Sequence, residues 1–189
     1  LKEIVLIGGP NGAGKTTSAR VLIPALFDGR EYLNADEIAR RLAPDDVDSA
    51  AFAAGRALIE RMRWLVAKGE SFALETTCSG RSYVPLLREC KQQGWKISLL
   101  YLWLRSPQAS MDRVSKRVSE GGHNIPSEAI QRRFRTGVAN MLSFYLPLAD
   151  EAEIYDNTDR RRILIAEKHR GELIVCEPGV WQLMKEAAR

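Results

Sequence analysis

Eight consecutive residues, Gly9-Pro10-Asn11-Gly12-Ala13-Gly14-Lys15-Thr16, fit the pattern G-x-x-x-x-G-K-[ST] in full, and Thr17 follows them. Such a loop binds phosphate. A polyanion needs several backbone N–H donors converging on one point. Glycines permit the necessary φ values and let the backbone come close. The helix that opens at the end of the loop adds positive potential. Lys15 is expected to bridge the β- and γ-phosphates of a nucleotide, and the Thr16 hydroxyl to ligate Mg²⁺.

Acidic and basic residues elsewhere can complete the chemistry. Asp36 follows a short apolar strand, where a carboxylate can accept the proton of a hydroxyl attacking the γ-phosphorus. A helix N-cap is the plain alternative for the same aspartate. Glu75 ends another strand and is followed by Thr76 and Thr77; it can hold a metal-bound water or a substrate hydroxyl, or simply close a surface strand. Arg113 and Arg117 lie four residues apart and share a helix face. Gly121-Gly122 then allows a hinge, and His123, Arg132 and Arg133 follow. Guanidinium groups on a closing lid, about 113–135, can stabilise the charge that spreads over a transferring phosphoryl group. A solvated basic face explains them equally simply. Asp156-Asn157-Thr158 suits an adenine-binding loop, expected on the last parallel strand beside the first, although Asx-turn chemistry accounts for the same residues.

The elements that must position these groups alternate. Lys2 to Gly8 reads as a buried strand, β-branched and closed by glycine. A helix is expected from about Gly14 through Ile23, a strand at Tyr32–Asn34, and helices at 38–42 and 49–68, the latter stopped by Gly69. A strand at 71–75, a helix at 82–93 and the continuous apolar strand Lys96–Leu104 follow. Pro107 can open the next helix, and Pro126 or Ser127 the one after it. A strand at 152–156, a hairpin at 163–176 turning near Arg170-Gly171, and a helix at 180–188 complete the chain. Strands alternating with helices predict an α/β protein of the P-loop NTPase class: a parallel sheet core with helices on both faces, an arginine-bearing lid and a C-terminal hairpin. With no linker or repeat, residues 1–189 read as one kinase-like domain.

Composition bounds the context. The chain has 189 residues, 45% of them hydrophobic, enough for a sizeable core. Its longest apolar run, Ile97–Leu104, is too short to span a bilayer. No signal-peptide pattern precedes the first strand, and three scattered cysteines show no framework or metal spacing. A cytoplasmic location is the expectation. The net charge of +4 is modest and no nucleic-acid-binding motif accompanies it, so small phosphorylated ligands account for the basic excess better than nucleic acid does.

The wording of the loop is typical of transporter-type ATPases. Their Leu-Ser-Gly-Gly-Gln-like signature and later Asp-Glu strand end are absent, as is the Asn-Lys-x-Asp motif of guanine nucleotide switches. Taken together, Gly8 to Thr17, Asn34-Ala35-Asp36-Glu37-Ile38-Ala39, Glu75-Thr76-Thr77-Cys78-Ser79-Gly80, Arg113 to Pro126 with Gly-Gly-His-Asn-Ile-Pro, and Tyr155-Asp156-Asn157 resemble the zeta-toxin family of bacterial P-loop kinases, in its short stand-alone branch. The resemblance covers roughly residues 3–158. It implies a five-stranded parallel core, ATP and Mg²⁺ as cofactors, and phosphate transfer to a sugar hydroxyl of a UDP-N-acetylhexosamine. It implies an antitoxin protein as partner. By position it makes Lys15 the phosphate lysine, Asp36 the base, Glu75 and Thr77 substrate contacts, and Arg117 the first lid arginine. Arg113 and Asn157 are expected at the nucleotide. The chain departs from the family at the second lid arginine, where His123 stands; Arg113, Arg132 and Arg133 are the candidate replacements. The other readings open at this stage are a polynucleotide or nucleoside kinase, and an ATP-dependent switch with no phosphoryl acceptor.

Overall fold

The structure, a computed structural model, describes residues 1–22, 30–44, 46, 49–122 and 124–189, the Leu22 side chain excepted. One seven-stranded sheet runs in the order β2-β3-β1-β4-β5-β6-β7. β1 (Glu3–Gly8), β2 (Glu31–Asn34), β3 (Phe72–Thr76), β4 (Lys96–Trp103) and β5 (Glu151–Asp156) are mutually parallel. β6 (Ile163–His169) and β7 (Glu172–Val175) continue antiparallel as the hairpin, turning at Arg170 and Gly171. β1 is the centre. Ile4, Val5, Leu6 and Ile7 are all buried, so both faces of the strand are covered, as its unbroken apolar character requires.

Helices intervene between the parallel strands. They are α1 (Lys15–Leu22), α2 (Ala35–Leu42), α3 (Ala51–Lys68), α4 (Val84–Gln92), α5 (Pro107–Ser119) and α6 (Ser127–Asn140). A π-helical turn, Met141–Tyr145, and a short α7 (Leu146–Leu148) lead from α6 to β5, and α8 (Pro178–Glu186) ends the chain. Local chemistry sets several boundaries. Gly69, at φ 72°, closes α3 by donating to Leu65 and Val66 carbonyls. Ser106 caps α5, its hydroxyl accepting the Ala109 N–H, with Pro107 at the first turn. The expected end of α1 at Ile23 lies outside the described residues.

Register brings the chemistry to one edge. Glu75 is level with Ile7 on one side and Asn34 on the other, Gly8 is level with Tyr101, and Trp103 with Asp156. The carboxyl ends of all five parallel strands therefore line up beside the loop that follows β1, where ligands bind in sheets of this kind. One expectation changes. The neighbours of β1 are β3 and β4, and β5 lies one strand further out. The long apolar β4, buried on both faces, takes the position beside β1 that the shorter, half-polar β5 does not suit. No helix among the described residues is long and apolar enough to cross a membrane.

Candidate active site

The phosphate-loop residues form a tight turn between β1 and α1. Gly9 has φ 144°, and a Cβ there would stand 2.2 Å from the Leu102 carbonyl oxygen, so β4 leaves room for glycine only. Lys15 opens α1 and is buried. Its ammonium donates to the carbonyls of Gly9 and Pro10, each at 3.0 Å. Thr16 donates its hydroxyl proton to Glu75 Oε2 at 2.7 Å, and Thr17 lies on the exposed side of α1. Asn11 is buried and its Oδ1 has no hydrogen-bond partner among the described residues.

Glu75 gathers several groups. Besides Thr16, the Tyr32 hydroxyl from β2 donates to the same carboxylate oxygen, and Lys15 Nζ stands 3.9 Å from Oε1. Burial, the Glu75 charge and this bond all push the Tyr32 phenol far above its usual value, so it stays a donor. The donor proton of Thr16 is spent on Glu75, which leaves the lone pairs of its hydroxyl for a cation. A threonine hydroxyl beside a carboxylate is an all-oxygen donor set. It suits a hard ion such as Mg²⁺, which takes few protein ligands and completes its shell with water and phosphate. No cluster of three or more His, Cys, Asp or Glu side chains exists among the described residues to hold a metal without a nucleotide.

A cleft of about 250 Å³ opens next to Lys15 and Glu75. Asn34 and Asp36 line one wall, Thr77, Ser79 and Tyr83 another, and Ile125 and Arg133 a third. Asp36 sits in the first turn of α2, yet it does not cap that helix. Asn34 does, its Oδ1 accepting the Asp36 N–H at 2.9 Å. A side chain two residues ahead of the donor N–H has the reach for an N-cap; one already inside the helix does not. Tyr83 lies near enough to Asp36 that, after burial, the aspartate charge is the next cause raising its phenol above the usual value.

The loop after β3 is held from behind. Cys78 adopts φ 57°, its N–H donating to Thr76 Oγ1, and Thr77 and Ser79 share a hydroxyl hydrogen bond of 2.8 Å. Asn140, buried at the end of α6, donates to the carbonyls of Cys78 and Ser79 at 3.0 and 2.9 Å and accepts from Arg81. Tyr145 in the π-helical turn donates to the Gly80 carbonyl. A Cβ on Gly137 would stand 2.4 Å from the Thr77 carbonyl oxygen, so α6 presses directly on this loop. Arg133, Gly137 and Asn140 fall on one face of α6, which sets Arg133 at the cleft when the other two seat the helix.

The remaining expected residues separate. Arg133 lines the cleft, whereas Arg132 faces outward beside Glu128, Gln131 and Arg135. Arg117 is exposed near the end of α5, and the Gly122 N–H donates to its carbonyl at 2.9 Å. Arg113 turns away from the cleft: Nη1 donates to the Gly12 carbonyl at 3.3 Å, and Nη2 to the carbonyls of Asn157 and Thr158 at 2.8 and 2.7 Å. Asn157 in turn donates to the Ala13 carbonyl at 2.8 Å. Asp156 is buried against Arg105 and Thr158, the Asx-type arrangement. His123 lies outside the described residues. Tyr32, Tyr83, Ser110 and Asn140 were not singled out by sequence reasoning, because no local spacing marks them.

The chain as a whole is similar to several known proteins. An uncharacterized protein of Haemophilus influenzae is 27% identical over 126 residues, 67% of this chain and 88% of that protein. A chain of the AvrRxo1-ORF1:AvrRxo1-ORF2 complex, crystallised with sulphate ions, superposes with a TM-score of 0.76 at 18% identity over 100% of this chain. The complex with ATP gives 0.75 at 17% identity, again over 100% of this chain. In both, this chain spans 64% of the length of the matched chain. A chain of the PezAT toxin-antitoxin system of Streptococcus pneumoniae superposes with a TM-score of 0.62 at 19% identity, covering 98% of this chain and 85% of that one. At such identities the likeness is one of fold. The sequence itself goes further: residues 4–141 match the AAA domain family, a P-loop family to which this chain belongs.

Proposed function

We propose that this chain is an ATP-dependent kinase that transfers the γ-phosphate to a hydroxyl of a small molecule. The observation that carries this reading is Asp36. It stands in one cleft with Lys15 and Glu75, and Asn34 relieves it of any capping duty. A carboxylate in that place is superfluous for holding ATP and useful for accepting a hydroxyl proton.

In this reading the loop and Lys15 hold the phosphates, and the Thr16–Glu75 pair holds Mg²⁺, which would neutralise phosphate charge. Asp36 accepts the proton of the acceptor hydroxyl as its oxygen bonds to the γ-phosphorus and the bond to ADP breaks. Arg133 from α6 and Arg117 from α5 supply positive charge at the transferring group. Thr77 and Ser79 offer hydrogen bonds to the acceptor. The cleft is at the small end of ligand pockets. That favours one sugar-sized polar group at the reacting centre, with the rest of a larger acceptor such as a UDP-amino sugar lying outside it. Antitoxin binding belongs to the same proposal, with the PezAT system as the precedent.

The test uses γ-labelled ATP with a metabolite extract. A kinase places label on an organic product; a switch releases it only as inorganic phosphate.

A further inference from the structure

An anion-binding loop must hide its carbonyl oxygens as carefully as it presents its N–H groups, because each exposed carbonyl repels phosphate. All six carbonyls from Gly9 to Gly14 accept a hydrogen bond here. Lys15 Nζ takes those of Gly9 and Pro10. Ser110 Oγ donates to Asn11, Arg113 Nη1 to Gly12 and Asn157 Nδ2 to Ala13. The Ser18 N–H takes Gly14 at 2.9 Å as the first bond of α1. Three donors therefore come from outside the loop, and they serve three successive peptide units.

The consequence follows from peptide planarity. In a trans peptide the C=O of one residue and the N–H of the next point in opposite directions. Pinning the carbonyls of Asn11, Gly12 and Ala13 back towards α5 and the end of β5 turns the N–H groups of Gly12 and Gly14 the other way, while the Ala13 N–H closes the turn on the Pro10 carbonyl at 3.2 Å. The fit is close: a Cβ on Gly12 would stand 2.9 Å from Arg113 Cβ and 3.0 Å from the Ser110 carbonyl oxygen. Arg113 also ties the carbonyls of Asn157 and Thr158 to the same guanidinium, so the loop and the end of β5 move as one.

The geometry points to Ser110, Arg113 and Asn157 as positioning residues: a clamp behind the phosphate loop that fixes its N–H groups for a polyanion without touching it. This rests on the phosphate-loop reading above. It differs from the sequence expectation, in which Arg113 and Asn157 contact the nucleotide.

Inorganic tripolyphosphate separates the two, because it has the phosphates of ATP and no base. The test titrates the full chain, in EDTA, with tripolyphosphate and with ATP. Arg113→Met and Asn157→Ala are expected to weaken both ligands in parallel, by ~10–100-fold, the range for losing a hydrogen bond of this strength. Ser110→Ala should act in the same direction and less. Arg113→Lys should not rescue, since one ammonium cannot span three carbonyls. Loss of ATP affinity with tripolyphosphate binding intact would make these residues base contacts and overturn the clamp. Rescue by Arg113→Lys would make Arg113 a direct charge contact, with the same consequence.

Amide exchange of the unliganded protein gives a second reading. Exchange at Gly12–Lys15 should rise several-fold in Arg113→Met and Asn157→Ala while β1 and β4 stay protected; unchanged loop exchange contradicts the clamp. Lys15→Ala keeps the two questions apart. If it binds tripolyphosphate as well as the wild type, or the wild type binds none, the phosphate-loop reading fails, and the exchange data alone decide the clamp.

Discussion

Thr16 donates its hydroxyl proton to Glu75 Oε2 at 2.7 Å, across the junction between α1 and β3. The bond orients the hydroxyl so that its lone pairs remain for a cation, while Tyr32 holds the same carboxylate oxygen from β2. Glu75→Gln keeps the shape and a hydrogen-bond acceptor but removes the charge. The Mg²⁺ concentration giving half-maximal ATP turnover should rise ~10-fold, the scale of losing a group that orients a metal ligand. ATP affinity without metal should stay constant or tighten, because a negative charge near the phosphates is gone. An unaltered Mg²⁺ titration would reduce Glu75 to a structural tie.

Lys15 is buried and holds two loop carbonyls. Lys15→Ala should lower ATP turnover by ~10³ or more, as expected for a group stabilising transferred charge. Circular dichroism should report a folded protein. Undiminished turnover in such a variant would end the phosphate-loop assignment.

The two neighbouring arginines of α6 should behave differently. Arg133 reaches the cleft and Arg132 does not. Arg133→Ala should reduce kcat by ~10²–10³ with little change in ATP binding, the pattern of a contact made in the transition state. Arg132→Ala should stay within about 3-fold of wild type, as a surface change does. Arg117→Ala tests the other lid position by the same kcat comparison. Equal effects at Arg132 and Arg133 would show that the helix face does not matter.

The cysteines give a structural check. Burial pushes the Cys78 thiol up from 9.0 to about 12, although Lys15 opposes the shift, and Cys176 is exposed. Iodoacetamide at pH 8 should label Cys176 and spare Cys78 in the native protein. The sign for alkaline stability follows from the raised value. Unfolded Cys78 loses its proton near 9.0 and folded Cys78 near 12, so stability is intact below pH 9 and falls as pH rises towards 12. Rapid labelling of Cys78 at pH 8 would contradict its burial beneath the loop.

Much of this arrangement was legible in the chain. The loop is a contiguous motif with an apolar strand before it and a helix after it, so its position needed no tertiary information. Asp36 and Glu75 were legible because strand ends in a parallel sheet share an edge. What connects them was not. Tyr32 meets Glu75 across the β2–β3 register, and Asn140 reaches Cys78 from 62 residues away; neither contact leaves a local pattern. Asn34 and Asp36 are both good capping residues, and only the helix start decides between them. Adjacent arginines at 132 and 133 look alike until the phase of α6 is known. The order of the outer strands is likewise a matter of packing: a short strand such as β5 carries no mark of which neighbour it will take.

The proposal of a kinase rests most heavily on Asp36, and one comparison tests it most directly. Wild type and Asp36→Asn are given γ-labelled ATP with the same metabolite extract, and ATP binding is measured on the same preparations. Asparagine keeps the size and polarity, and because Asn34 caps α2 the helix should be unaffected. The expected result is label on an organic product with the wild type, a loss of ~10²–10⁴ in that transfer with Asp36→Asn, and ATP affinity unchanged or slightly higher. Equal labelling of the product by both proteins would remove Asp36 as the base, and label found only as inorganic phosphate with the wild type would contradict the kinase itself.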